Sequence, residues 1–514
     1  MGRTRIRNRG QRSGSQPTSP LAHIPWQPIT NHMPPLEYLR PDEVAKLHEA
    51  SLRILEKTGI AFMDAEALDI WEKAGAAVDH KSEVVKIDRH QLLDLVAKAP
   101  SRFTWRARNP AKSMEIGGNR TTFAPQGGVV FVNDLDRGRR PGMMSDYINF
   151  LKIQQQCNSL HFVGDQIIVP HDIAVSFRHL HRSQSAILHS DKCFMEAPHG
   201  RIIAADAVEM AKIVFQEDIT QSDQPALGGV INASSPLRYD ERMIGGMLTY
   251  ARARQVLIMT PFVLAGAMSP ITMAAAIAQQ NAEALAGIAF VQLVSPGSPV
   301  MYGGFATNLD MKTGGPAFGT PEGAWAMMVG AQMARFYNLP YRGSGSLNTS
   351  QTPDAQSAYE TMWSIWPAVM AHTNFIMHAV GWLEGGLTVS YEKIIMDMEN
   401  LAMLEHFFQP VPINDETLAL DMIDLVGPGG HHLGTPHTQA RYATEFYQSF
   451  LMDRQGFQTW QERGSEDTAV RANKIWKELL KTYEPPELET AVSDELAAFV
   501  ERRTRELEGV ELYT

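Results

Sequence analysis

The chain has 514 residues, 44% hydrophobic and 20% charged, which are the proportions of an ordinary globular protein large enough for one broad core with additions. Its 46 basic and 57 acidic residues leave a formal charge of −11, which excludes a general attraction to nucleic acid or to an anionic membrane surface. Cys157 and Cys193 are its two cysteines. They make no disulfide framework and no CxxC zinc site, and no apolar run reaches the roughly 18 residues of a membrane span.

Residues 1–36 contain no Asp or Glu, and Arg3, Arg5, Arg7, Arg9 and Arg12 crowd the start. Without an apolar h-region this stretch reads as a flexible basic tail and not as a secretory signal. Residues 37–119 read as helical. "RPDEVAKLHEASLRILEKTGI" places Leu47, Leu52, Ile54 and Leu55 at helical spacing and stops at Gly59; "AEALDIWEKAGAAVD" stops at Gly75; "DRHQLLDLVAKAP" is a third short helix. From residue 120 to 410 the pattern changes to short Val-, Ile-, Gly- and Phe-rich stretches that alternate with amphipathic ones. Eight such strands, from "TTFAPQGGVVFVN" to "FIMHAVGWL", each followed by a helix, predict a (β/α)8 TIM barrel. An open doubly wound sheet is disfavoured because no GxGxxG follows the first strand. Residues 411–514 read as a C-terminal helical extension, with Ser493 as an N-cap.

In a (β/α)8 barrel the active site lies at the C-terminal ends of the strands. That rule selects Asn133, Asp134, Asp165, Gln166, Glu196, His199, Asn232, Tyr302, Phe305, Asn308, Arg342, Ser346, Asn348, Trp382 and Glu384. In "GSGSLNTSQTPDAQSAYETMW" Thr352 is the expected N-cap and Pro353 the first helical residue. Tyr359, Met362, Trp363 and Trp366 then share one helix face. Met362 and Trp366 are expected to pack on the barrel, and Gln356 and Tyr359 to line its mouth. "GPGGHHLGTPHT" offers His431, His432 and His437, but without a neighbouring carboxylate or Cys it reads as a structured turn, and no bound metal is expected.

Several long phrases, in this order, carry a resemblance: "LHEASLRILEKTGIAF", "ALDIWEKAGAAVD", "GTPEGAWAMMVGAQMARFYNLPYRGSG", "PDAQSAYE", "GPGGHHLGTPHT" and "FLMDRQGFQTW". From about residue 40 to 480 the chain resembles the trimethylamine methyltransferase family. The resemblance implies a (β/α)8 barrel that moves a methyl group from a methylated amine to the corrinoid (cobalamin) cobalt of a separate partner protein; the two cysteines by themselves point to a reducing compartment, so a cytoplasmic location is expected. Methanogen members that use trimethylamine carry pyrrolysine near this stretch; here only standard residues stand, Gln356 to Ala358 being nearest. Members lacking it are similar to enzymes that demethylate quaternary amines such as glycine betaine. On that reading Tyr302, Phe305, Tyr359 and Trp382 form an aromatic wall for the cation, Glu196 adds charge, and Arg342 pairs with a substrate carboxylate. The alternatives are trimethylamine itself, a lyase using Glu196 and His199 as catalytic acid and base, and a betaine-binding protein without turnover. Neither nucleic acid nor membrane is an expected partner, and self-association into a homo-oligomer stays open.

Overall fold

In the computed structural model, which describes residues 19–512, eight short strands run parallel in one curled sheet of a mixed α/β fold. They are β1 (Arg120–Phe123), β2 (Phe162–Gly164), β3 (Cys193–Met195), β4 (Leu227–Ile231), β5 (Val256–Met259), β6 (Val300–Gly303), β7 (Tyr341–Ser344) and β8 (Phe375–Met377). Consecutive strands from β2 to β8 pair in parallel, and β8 returns to pair with β1. Between β1 and β2 the His161 N–H donates to the Phe123 carbonyl at 2.9 Å, and the Phe123 N–H donates to His161 Nδ1 at 3.0 Å. Each strand is followed by a helix: α1 (Met144–Gln155), α2 (Arg178–His189), α3 (Arg201–Phe215), α4 (Glu241–Arg252), α5 (Met273–Val294), α6 (Pro321–Phe336), α7 (Ala355–Met370) and α8 (Tyr391–Phe407).

Strand alternation sorts the side chains into two cores. Cys193, Met195, Val256, Ile258, Met301 and Phe375 point inward, whereas Phe194, Leu257, Val300, Tyr302 and Ile376 point outward under the helices. The inner core is closed from below by a hairpin, Arg102–Trp105 with Met114–Gly117. Trp105 lies there edge-on to Phe162 at 5.0 Å. Gly228 on β4 makes room for it, since a Cβ there would sit 2.3 Å from the Trp105 ring.

The outer layers are thicker than eight helices. α5 is apolar almost all round, as a helix must be when both faces are covered; the helices Pro41–Arg53 and Arg89–Val96 pack on its far side. Gly59, at φ 81°, and Gly75, at φ 90°, end the first two expected helical stretches. The 37–119 region is not helical throughout, because Ile60–Phe62, Ala77–Asp79, Val84–Lys86 and the hairpin below the core are strands. At the other end, Thr468–Thr482 packs on α8, and Thr490–Glu506 on α2 and α3. The N-cap of that last helix is Glu489 and not Ser493, which lies inside it. Arg3, Arg5, Arg7, Arg9 and Arg12 lie outside the described residues, but residues 19–36 do not behave as a tail. Ile29 and Thr30 pair antiparallel with Thr121 and Arg120, and Leu21, Ile24 and Ile29 are buried. Among the described residues no helix is long and apolar enough to cross a membrane.

Candidate active site

Above the C-terminal ends of the strands lies a cavity of about 450 Å3. Its walls include Gly127, Asp165, Gln166, His199, Asn232, Phe262, Phe305, Arg342, Met377 and His378, contributed by the ends of all eight strands. The rim is raised by two small sheets. Phe262–Ala265 pairs with Phe305–Leu309, and Thr388–Ser390 pairs with both Phe131–Asn133 and Trp382–Leu383. Long apolar runs that read as single strands therefore break in two: the first half stays in the curled sheet and the second climbs to the rim. Gln280 of α5 accepts the Phe305 N–H at 3.1 Å and so fixes one rim strand from beneath.

Arg342 is 2% exposed and points inward from β7. Its Nη1 donates to the Gly304 carbonyl at 3.4 Å, and its Nη2 lies 3.2 Å from Met377 Sδ. Its Nε has no hydrogen-bond partner, and among the described residues no carboxylate lies within 4.0 Å. Burial holds its pKa down to about 10. The guanidinium sits over the Phe305 ring at 5.4 Å, and that ring stacks on Phe318 at 5.5 Å and 16°. Phe305 is thus occupied as a platform for Arg342.

Asp165 also lines the cavity without an ion pair among the described residues. Burial, with Glu196 second, raises its carboxyl to about 6. Asp165 and His378 have left-handed backbones, φ 60° and 56°, a conformation uncommon outside glycine and concentrated at functional sites. It ends the strand alternation early and turns both side chains into the mouth. A Cβ at Gly127 would lie 2.6 Å from Met377 Cε, 3.7 Å from Asp165 Oδ2 and 4.0 Å from His378 Nε2, so glycine there makes room for the Met377 methyl beside the two groups. Ser344 Oγ lies 3.1 Å from His378 Nδ1, and Trp382 stacks on the imidazole at 5.0 Å and 16°. Burial, reinforced by Arg342, pulls His378 well below the usual histidine range. His199, 3.0 Å from Gln166 Nε2 through Nδ1, is lowered to about 4 by burial and by Arg242 and Arg182.

Of the expected site residues, the fold gathers His199, Phe305 and Arg342 at the cavity, along with Asp165, Gln166 and Asn232. Glu196 is not there. On β3, Cys193 and Met195 face inward, so Glu196 faces outward, where it accepts from Arg182 Nη2 and Ser183 Oγ, both at 2.6 Å. The pair of Glu196 and His199 expected as acid and base is not assembled. Tyr302 faces outward for the same reason, its hydroxyl donating to Asn281 at 2.9 Å. Asn308 lies on a rim strand and donates to its neighbour's carbonyl. Ser346 Oγ donates to the Ala379 carbonyl, and Asn348 Nδ2 to that of Trp382, both at 2.6 Å; they brace the mouth from behind. Trp382 is in the wall behind His378 and Phe305.

The loop at 345–354 is polar because Glu360 gathers it, accepting from the Thr349 N–H and Oγ at 2.7 Å. The cap of α7 is Asp354, which accepts the Ser357 N–H at 3.0 Å, and not Thr352. Gln356 pairs with Glu360 outside the cavity, and Tyr359 is 76% exposed. Met362 and Trp366, expected against the barrel, are exposed as well. Asp134 is tied up by Arg140, and Glu384 by Arg139. Asn133 belongs to a rim strand. His431, His432 and His437 do not line the cavity. Exposed ligand atoms of Asp69, Glu72 and His80 converge within 4.8 Å, also outside it. Sequence reasoning missed His378 and Phe262, and its signal was present: a histidine directly after the β8 run, hidden because the apolar run continues to Leu383.

The family model described as trimethylamine methyltransferase matches residues 3–508. The chain is 38% identical to a glycine betaine methyltransferase of Desulfitobacterium hafniense (strain Y51), over 92% of this chain and 98% of that protein. It is 30% identical to a trimethylamine methyltransferase of Desulfitobacterium hafniense (strain DSM 10664 / DCB-2), over 90% and 92%. Among solved structures, the Methanosarcina barkeri monomethylamine methyltransferase superposes with a TM-score of 0.48 at 10% identity, covering 93% of this chain and 89% of that one.

Proposed function

The chain belongs to the trimethylamine methyltransferase family, and we propose that it moves a methyl group from a carboxylated quaternary amine of the glycine betaine type to the Co(I) corrinoid of a partner protein. One observation carries this: two opposite buried charges, Arg342 and Asp165, line one small cavity, and neither has an ion-pair partner among the described residues. An isolated buried charge is costly, several kcal/mol even after relaxation. A zwitterion of a few ångströms relieves both costs at once, with its carboxylate on the Arg342 fork and its ammonium toward Asp165 and the face of the Phe262 ring.

The eight-stranded run, bridged between β1 and β2 by His161 and Phe123, is read as a closed (β/α)8 barrel with this cavity as its mouth. The corrinoid enters as a second substrate, presented by its own protein; the rim is open at Gly128, where an added Cβ would meet no atom within 4 Å. Co(I) supplies the electron pair of the new Co–C bond, the pair of the broken C–N bond stays on nitrogen, and a neutral tertiary amine leaves. This chain then has three tasks: to bind the zwitterion, to hold one methyl in line with the acceptor, and to exclude water. No proton moves, which suits a site whose two histidines are neutral at pH 7. Co(I) is a strong reductant, so the reaction belongs in the reducing cytoplasm.

The test is a Co(I) methylation assay with glycine betaine, choline and trimethylamine. Turnover of glycine betaine, with choline much weaker, is expected. Turnover of trimethylamine alone, or of no methylated amine, refutes the proposal.

A further inference from the structure

Beside the substrate cavity lies a second, smaller one of about 90 Å3, the share of roughly three water molecules. It opens at the first turns of α2 and α3, and Gln166, Ala197 and His199 line both cavities. Among the described residues no carboxylate lines this annex. Two of its lining side chains, His179 and Arg182, are 3% and 5% exposed. Each has one polar atom without a hydrogen-bond partner: Nδ1 of His179 and Nε of Arg182.

The charge of Arg182 is already matched, because its Nη2 donates to Glu196 at 2.6 Å. What its Nε–H lacks is an acceptor. His179 Nε2 faces Asp206 Oδ2 at 2.9 Å. The neutral imidazole carries its proton on that nitrogen, so Nδ1 is an acceptor that lacks a donor. Gln166 spends its Nε2 on His199 Nδ1 at 3.0 Å, which leaves Oε1 as a second acceptor. Buried donors and acceptors left unmade cost free energy, and a ligand of matching pattern recovers it. The matching pattern is one carbonyl oxygen and an NH2 group on the same carbon, which is a primary amide. A simple anion offers the acceptor without the donors, and meets a guanidinium whose charge Glu196 has taken.

We propose that the annex receives one primary-amide side chain of the corrinoid. A corrinoid ring is bordered by such arms, and a ring set over the mouth brings its border to Gln166 and His199, where the annex begins. The amide oxygen accepts from Arg182 Nε, and the NH2 donates to His179 Nδ1 and Gln166 Oε1. One anchored arm fixes the rotation of the ring over the cavity and helps to hold the cobalt in line with the methyl group. Arg182 and His179 are positioning residues in this account, and Glu196 and Asp206 hold them in place. The inference rests on the corrinoid acceptor proposed above.

Equilibrium dialysis of the full chain with two free corrinoids tests it without turnover. Cob(II)inamide carries the primary amides; cob(II)yrinic acid heptamethyl ester keeps a carbonyl on every arm but has no N–H. The wild type should bind the amide form about tenfold more tightly than the ester, or better. Arg182→Lys keeps a cation for Glu196 and removes the Nε–H. Val175→Trp, at a lining position that is 51% exposed, fills the annex. Each should bring cobinamide affinity down to that of the ester, and Val175→Trp should leave glycine betaine affinity unchanged in calorimetry. Val175→Trp carries the test if the buried variant fails to fold. Equal affinity of the wild type for the two corrinoids, or variants that keep the preference, overturns the inference and leaves the corrinoid acceptor standing. Competition of inorganic phosphate with cobinamide makes the annex an anion site and overturns it too. Binding of neither corrinoid overturns it together with the proposed acceptor.

Discussion

Replacing Arg342 with methionine tests the carboxylate half of the substrate and separates binding from folding. The guanidinium is buried without a carboxylate, and its pKa is held to about 10 by that burial, some 2 units below the ordinary arginine range, which corresponds to about 3 kcal/mol against the charged form. The sign follows from linkage. A base whose pKa is depressed on folding is penalised at every pH below its folded pKa, so the cost is present in full at pH 7. Methionine removes that cost and keeps most of the volume. It also gives up the cation–π contact with Phe305, worth about 0.5–2 kcal/mol. The ligand-free variant should therefore be as stable as the wild type or more stable, by up to about 2 kcal/mol in denaturant titration. Glycine betaine should bind about 30-fold to several thousand-fold more weakly in calorimetry, since truncating one side of a buried charged pair costs about 2–5 kcal/mol. Choline, which has no carboxylate, should change by no more than about threefold. Equal loss of both ligands, or a variant destabilised by more than about 2 kcal/mol, refutes the reasoning and makes Arg342 a structural residue.

Other outcomes follow from the same geometry. Asp165, raised to about 6, binds protons in the folded state between about pH 4 and 6 that the unfolded chain does not. Stability of the ligand-free protein should therefore rise as pH falls through that window, while affinity for the ammonium falls. Asp165→Asn should abolish both trends, and a pH profile that survives the substitution assigns them elsewhere. Glu196→Gln leaves Arg182 buried without an anion and should cost about 3–5 kcal/mol in chemical denaturation; a variant that folds with wild-type stability but has lost turnover would reinstate Glu196 as a catalytic group. Gly228→Ala forces a methyl against Trp105 and should cost about 1–3 kcal/mol with little effect on substrate affinity, checked by denaturation and calorimetry in parallel.

How far the residues alone speak can be judged strand by strand. Local pattern carried the order and number of the βα units, because each run has the composition and length of its element and each glycine or capping residue ends it where backbone chemistry requires. Asp64 and Asp88 cap their helices as their position suggests, and Arg342 was visible as a charge in an apolar strand. What local pattern leaves open is where a strand stops belonging to the sheet. "FIMHAVGWL" is apolar apart from His378 and "PVMYGGFATN" apolar until Thr307, yet β8 ends at Met377 and β6 at Gly303. Those ends decide whether His378 or Trp382 meets the cavity. Facing is decided with them: the period of 2 sends Glu196 and Tyr302 outward and Arg342 inward, but only once register is fixed by neighbours distant in sequence. The same holds for α7. Its aromatic stripe is plain in the sequence, but a stripe states only that a face is apolar. Whether it meets this chain's own sheet or another surface depends on the layers around it, and here the sheet-facing side is already filled by Ser357, Thr361, Ile365 and Ala368, which leaves Tyr359, Trp363 and Trp366 turned outward.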